Sequence, residues 1–452
     1  MTESRRRNLS LFIIAISFLW LLPLLNGSWN ASGLVNILCF TLFISYGVVR
    51  LITSGRRRRA IECSTPEDIS AGIKQLTHLL TTGRPDRAEL LHQRAMLRIS
   101  GQQWQEAIDD FTESLSAGSK KPYEAFRYQG TALVRLERFE EALQALMVPV
   151  SAYATSRRPD ELKGLGESLA ERAECYMAMG DIDLAEHDLR KAIPLLDGDY
   201  LISSRLLLGS ILEKRSQWPE ALAEYDTALN QTATIAENLT EIAGIQAARG
   251  RTLHSMEHFA EAVAALDAAI SGMSVTEGFA EELRCVRLTR ADALLHCGEL
   301  AKATAEIETL LQADPGDSHA RVIRALIAAE RQQFRCAVEE LQDVLKHEPH
   351  NLAALQNYAV LLAGAHDDSL RNGVEALKVA ETLASQLGSE HWFLLSAKAA
   401  AYAELGDFQE AVRFAELSLE AAPEQQKPVR VHRLEQFRQH RPFRCERLSE
   451  QK

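Results

Sequence analysis

No two of the chain's seven cysteines (Cys39, Cys63, Cys175, Cys285, Cys297, Cys336 and Cys445) stand close enough in sequence to read as a pair. That scatter argues against a disulfide framework and for a reducing compartment. Glycine (24) and proline (13) are too sparse in 452 residues for a collagen-like, low-complexity or linker-dominated chain. Aromatic residues make up only 6%, so any regular placement of them is informative. Positive charge is missing from the body of the chain. Residues 1–59 carry +7 and residues 427–452 carry +5, so a net charge of −12 leaves −24 on residues 60–426. Phosphate contacts need clustered Lys and Arg, and an acidic body therefore excludes nucleic acid as a partner. The length admits two or three ordinary domains or one repeat array.

Motifs that gather catalytic or metal-binding groups are missing too. No Cys-x-x-Cys, His-Glu-x-x-His, glycine-rich phosphate loop or nucleophile elbow occurs. Cys285 and Cys297 share one predicted helix at a spacing of twelve. That spacing puts them about 18 Å apart along the axis, too far to share a metal. The thirteen histidines are scattered, and His254 and His258 straddle a predicted turn. The sequence reads as a non-enzyme, with no catalytic residue, metal, cofactor or small-molecule substrate.

Long apolar runs are confined to the start. Leu9–Leu25 and Leu34–Val49 contain no charge, and the second continues past Arg50 to Ile52. Seventeen residues is near the lower limit for crossing a hydrocarbon core of about 30 Å. Trp20 and Trp29 flank the far end of the first span, where amphipathic rings favour the interface. Arg5–Arg7 precede the first span and Arg56–Arg59 follow the second, while the turn Asn26–Gly33 has no Lys or Arg. The positive-inside rule puts both ends in the cytoplasm and makes the pair a hairpin in the bilayer. A signal peptide is the competing reading, but no convincing small-x-small cleavage site follows Leu25. Span two keeps its basic end inside in either case.

After the spans, a pattern returns. Trp104-Gln105-Glu106-Ala107 recurs as Phe139–Ala142, Trp218–Ala221, Phe259–Ala262, Phe334–Ala337 and Phe408–Ala411, with weaker copies at Ile182–Ala185 and Leu300–Ala303. The marker alanines from Ala107 to Ala337 stand 35, 43, 36, 41, 41 and 34 residues apart, and a divergent copy at Ala376 bridges to Ala411 in steps of 39 and 35. Twelve residues before eight markers lies Ala or Gly: Ala95, Gly130, Ala173, Gly209, Gly250, Ala291, Ala325 and Ala399. Pro315, Pro349 and Pro423 each fall twelve after a marker. Each unit reads as two amphipathic helices joined by a short turn, with small residues where the backbones approach and Gly180, Gly298 and Gly406 at left-handed turn positions. The aromatics read as structural.

With this spacing the chain resembles the tetratricopeptide repeat family, of the membrane-anchored bacterial type, whose units are helix-turn-helix pairs of about 34 residues. The resemblance covers residues 88–423 and implies an all-α fold: an N-terminal transmembrane helical hairpin followed by an α-solenoid superhelix of about nine helix-turn-helix repeats. Departures are longer helices, for example 234–256, expected to change the superhelical pitch, and five extra residues near Gly364–Asn372. Some membrane-anchored members end in a four-cysteine zinc module; here Cys445 is the sole cysteine after Cys336, so that site is not expected. The resulting layout is an anchor at 1–59 with spans 9–25 and 34–52, a juxtamembrane segment and capping helix at 60–87, the array at 88–423, and a basic capping helix and tail at 424–452.

The resemblance further implies a concave face lined by first helices, which binds a peptide or helix. Two patches fall on or near inward positions. Glu167, Glu171 and Glu174 form an acidic row that would grip a basic segment or simply be a solvated face. Leu288, Val322, Ile323, Leu326 and Val360, edged by Gln356 and Asn357, form an apolar row that is either a groove for an apolar helix or part of the core. The two-carboxylate clamp of chaperone-binding members is not supported, because Arg127 and Arg251 are isolated and Asn357 lacks a basic neighbour. The expectation is a multi-pass cell-membrane protein whose N-terminus and repeats are cytoplasmic, held to the lipid bilayer by the hairpin and binding a protein or peptide partner. The alternatives are an assembly subunit of a larger membrane complex and a client-binding holdase or regulatory sensor.

Overall fold

The computed structural model describes residues 66–82, 86–232, 239–274 and 279–445. The spans expected at 9–25 and 34–52 lie outside these residues, and among those described no helix is long and apolar enough to cross a membrane. The described chain divides into two compact units, residues up to Leu283 and residues from Arg284.

All regular structure among the described residues is helical. Helix α1 (Pro66–Thr81) precedes four pairs: α2 (Arg87–Ser100) with α3 (Trp104–Ser116), α4 (Pro122–Arg135) with α5 (Phe139–Tyr153), α6 (Pro159–Met179) with α7 (Ile182–Ala192), and α8 (Gly198–Lys214) with α9 (Trp218–Thr232). Five more follow: α10 (Leu239–Ser255) with α11 (Phe259–Met273), α12 (Ala280–His296) with α13 (Leu300–Ala313), α14 (Ser318–Glu330) with α15 (Phe334–His347), α16 (Leu352–Gly364) with α17 (Gly373–Leu387), and α18 (Trp392–Glu404) with α19 (Phe408–Ala421). Helix α20 (Lys427–Arg438) comes last. The helix expected over 234–256 is α10, Leu239–Ser255 among the described residues.

The repeated sequence pattern maps onto fixed positions in the pairs. Six aromatics open second helices, as the first residues of α3, α5, α9, α11, α15 and α19. All nine marker alanines are buried, none more than 1% exposed. Four residues after the marker, on the same face of the helix, lies a second and larger set: Phe111, Leu146, Tyr225, Leu266, Ile307 and Leu341, also at most 1% exposed. These side chains are the deep core of each pair and explain the small residue on the facing helix. A Cβ built at Gly209 would fall 2.4 Å from the Tyr225 ring, and one at Gly130 would fall 2.6 Å from Leu146. The opening aromatics are mostly half-buried at the rim; Phe334, at 7% exposed, is the exception.

A polar contact keeps the same register. Arg94 makes a two-pronged bond to Asp110 (2.9 and 2.6 Å), and Arg172 does so to Asp188 (2.6 and 2.8 Å). Arg290 meets Glu306, and Arg324 donates to Glu340 at 2.7 Å. In all four the acid is sixteen residues after the arginine, so an Arg-x15-Asp/Glu spacing was present in the sequence and went unread. Asp110 and Asp188 are each 2% exposed. Burial of the carboxylate makes the partner obligatory, since removing one member of a buried pair costs about 3–5 kcal/mol.

The turn inside each pair sets this register. Five residues before the marker the backbone is left-handed at Gln102, Glu137, Gly180, Ser216, Glu257, Gly298, Gln332 and Gly406, with φ between 57° and 89°. Five of these eight carry a side chain there. L-residues in this region cost about 1–2 kcal/mol, which glycine avoids. Ser216→Gly and Glu137→Gly are therefore expected to stabilise the chain by about 0.5–1 kcal/mol each. Gly298→Ala, where an added Cβ would meet nothing within 4 Å, should cost about 1 kcal/mol from the backbone alone. Denaturant midpoints at constant slope would check both signs.

Candidate partner-binding surface

The acidic row lies on α6, and two of its three carboxylates are committed within the protein. Glu167 forms an ion pair with Arg127 Nη1 at 2.8 Å. The Arg127 guanidinium is also stacked 4.1 Å from the Tyr128 ring centroid and is 8% exposed. Burial disfavours its charge, but Tyr200, Tyr128 and Glu167 outweigh that and hold its pKa above the ordinary arginine range. Glu171 is fully buried and accepts hydrogen bonds from Thr131 Oγ1 and Tyr200 OH, both at 3.1 Å. Only Glu174 is partly open to solvent without a described hydrogen bond or ion pair. The row, expected either to grip a basic segment or to be a solvated face, is instead mostly a polar joint between α4, α6 and α8. Arg127, set aside as isolated, is part of that joint.

The apolar row divides as well. Val322 is 3% exposed, in a core cluster with Ala325, Phe334 and Ala337, and Leu288 is 9% exposed. Both are core side chains, and their expected place on an open groove is corrected. The cluster around Val322 continues into α16, α17, α18 and α19, so neighbouring pairs share in enclosing it. Ile323, Leu326, Gln356, Asn357 and Val360 are half-buried. Asn357 spends its amide on the carbonyl of Ala353 at 2.8 Å. Val360 packs against the core, and the tail residue Cys445 lies over it, with Sγ 3.8 Å from the Val360 carbonyl oxygen. That leaves Ile323 and Leu326, on α14, as half-buried apolar side chains of the row.

Stacked helix pairs with buried small residues, a fixed left-handed turn and a large residue at the marker plus four define an α-solenoid within each unit. Two stretches match family models of the tetratricopeptide repeat: residues 166–195, on α6 and α7, and residues 394–429, from α18 into α20. The chain carries tetratricopeptide repeats. No curated protein matches it. Among solved structures it is similar to a tetratricopeptide repeat protein from Parabacteroides merdae (14% identity, 60% of this chain and 98% of that one, TM-score 0.49). It is also similar to yeast Tom70 (14% identity, 82% and 86%, TM-score 0.40). A third is YrrB, described as a TPR protein with an unusual peptide-binding site (19% identity, 42% and 90%, TM-score 0.34).

Two pairs of substitutions separate core from surface. Val322→Glu and Glu171→Lys each place an uncompensated charge in the interior and should cost several kcal/mol, about 3 or more. Leu326→Glu and Glu174→Lys should shift stability by only about 0.5 kcal/mol. Chemical denaturation of the four variants would test the assignment; equal losses at 322 and 326 would contradict it.

Proposed function

We propose that this protein is a membrane-anchored scaffold whose helix-pair array binds a protein partner on the cytoplasmic side. The observation that carries the reading is the pairing of two apolar spans, bracketed by arginine clusters, with a helix-pair array on which Ile323 and Leu326 stay half-buried and so keep part of their apolar surface for a partner. The lipid bilayer holds the N-terminal hairpin, and the array supplies binding and local concentration without turnover. A tethered scaffold raises the effective concentration of what it captures, and so needs no catalytic group.

The anchor is tested by cysteine accessibility in a background lacking Cys39 and Cys63. Ser28→Cys should react with an impermeant reagent applied to intact cells, and Ser64→Cys should not; labelling at residue 64 would overturn the orientation. Partner binding is tested by co-purification in mild detergent. A discrete protein should be retained by the unaltered chain and lost at least tenfold with Leu326→Glu. Retention of a fixed membrane protein through the hairpin alone would favour an assembly subunit, and many unfolded clients would favour a holdase.

A further inference from the structure

The one pair that breaks the turn rule is α16 with α17. Five extra residues replace its left-handed turn with a loop containing a short 3-10 turn, Asp368–Leu370. Arg371 braces that loop, donating to the Ala365 carbonyl at 2.9 Å and to Glu404 Oε1 on α18 at 2.8 Å. The Asn372 N–H closes it onto the Leu362 carbonyl at 2.9 Å. The loop is thus tied to the last turn of α16, while the Gly364 carbonyl accepts from a more distant part of the chain.

Residues 441–445 supply that contact and pack against the end of α16. Helix α20 ends at a left-handed residue, His440 (φ 58°), as the first helix of a pair does, but the chain then continues without regular structure instead of starting another helix. Phe443 is 5% exposed and lies against Gly364 so closely that a Cβ there would fall 2.4 Å from the ring. The Arg433 guanidinium covers the ring at 4.2 Å. Arg444 donates to Glu404 Oε2 at 2.8 Å, on the carboxylate that Arg371 orients. The backbone of Cys445 is read from both sides: its N–H donates to the Gly364 carbonyl at 2.8 Å, and its carbonyl accepts from His366 Nε2 at 2.9 Å.

We infer that the end of α16, the inserted loop and Glu404 form a peptide-binding site for a non-helical segment carrying an aromatic residue followed by arginine, and that the chain's own residues 441–445 are its resident ligand. The inference rests on the scaffold reading and names the class of partner. Each contact has the form used to capture extended peptides. Main-chain bonds at Cys445 ignore sequence, a flat slot with a cation over it selects an aromatic ring, and an oriented carboxylate selects arginine. The slot depends on Gly364, since any side chain there would displace the ring. A tethered ligand competes at an effective concentration on the order of millimolar, so a partner segment enters only when the tail lifts.

The test uses the full chain and a fluorescein-labelled peptide of residues 438–445, followed by anisotropy under reducing conditions. Phe443→Ser releases the tail and leaves the site intact, so it should bind the peptide at least tenfold more tightly than the unaltered chain. The same peptide with Arg444→Glu should bind at least tenfold more weakly. Gly364→Ala releases the tail and also fills the slot, so it should not bind. Alkylation of Cys445, read by mass spectrometry, reports release independently: burial pushes that thiol up to about 12, and both variants should make it reactive. A Phe443→Ser chain with a reactive Cys445, unchanged helicity and no peptide binding would overturn the inference. Should Phe443→Ser unfold, Arg444→Gln keeps the ring in place and loosens only the ion pair. Several-fold tighter peptide binding than in the unaltered chain supports the site, and no change refutes it. Partner capture that depends on Leu326 but not on Gly364 would leave the scaffold reading intact and remove this site from it.

Discussion

The interior of each helix pair depends on how closely its two backbones approach, and the left-handed turn fixes the register of that approach. Given that turn, a residue on the first helix faces the residue sixteen later on the second. Gly130 meets Leu146, Gly209 meets Tyr225 and Gly250 meets Leu266 in this way. The bonded pairs Arg94–Asp110 and Arg172–Asp188 obey the same offset one position earlier. The apolar and the charged contacts are two expressions of one geometry. The apolar one sets the interhelical distance, because a Cβ at Gly209 cannot coexist with the Tyr225 ring. The ionic one, with its carboxylate buried, tolerates no shift in register without leaving a charge unpaired.

That dependence explains what was legible. A constant turn gives a constant spacing, so marker alanines, small residues and opening aromatics could be read from the sequence alone. The turn residues were legible only where they are glycine. Gln102, Glu137, Ser216, Glu257 and Gln332 take the same conformation without the compositional signal, because the packing of two helices over-determines it. The inward face was misread for a different reason. Glu171 Oε1 accepts from Thr131 and Tyr200, forty and twenty-nine residues away in neighbouring pairs. Val322 is enclosed by a cluster that reaches across several pairs. A pattern that repeats within a pair contains no information about what the next pair covers.

Breaks in the rule are more informative than adherence to it. Sequences specify a fold when local and global signals agree, and departures concentrate where something other than folding is served. Among the described pairs eight share the left-handed turn, while the pair with the longer loop is the one against which the non-helical tail packs. The apolar row reaches this neighbourhood at Val360, which packs against the core and whose carbonyl oxygen lies 3.8 Å from Cys445 Sγ.

Charge adds a last step. The body from 60 to 426 carries −24 and the tail from 427 carries +5, so the tail is attracted to the array by its long-range field before any contact forms. Such attraction is weak for exposed groups and falls with salt, as it does for the exposed pair Arg438–Glu416 at 2.9 Å. It selects no position along an acidic surface. Position comes from the uncharged parts of the contact, the Phe443 slot at Gly364 and the two backbone bonds at Cys445, which are local and short-ranged. The field accounts for why a basic segment should dwell on this array, and the slot for where it stops.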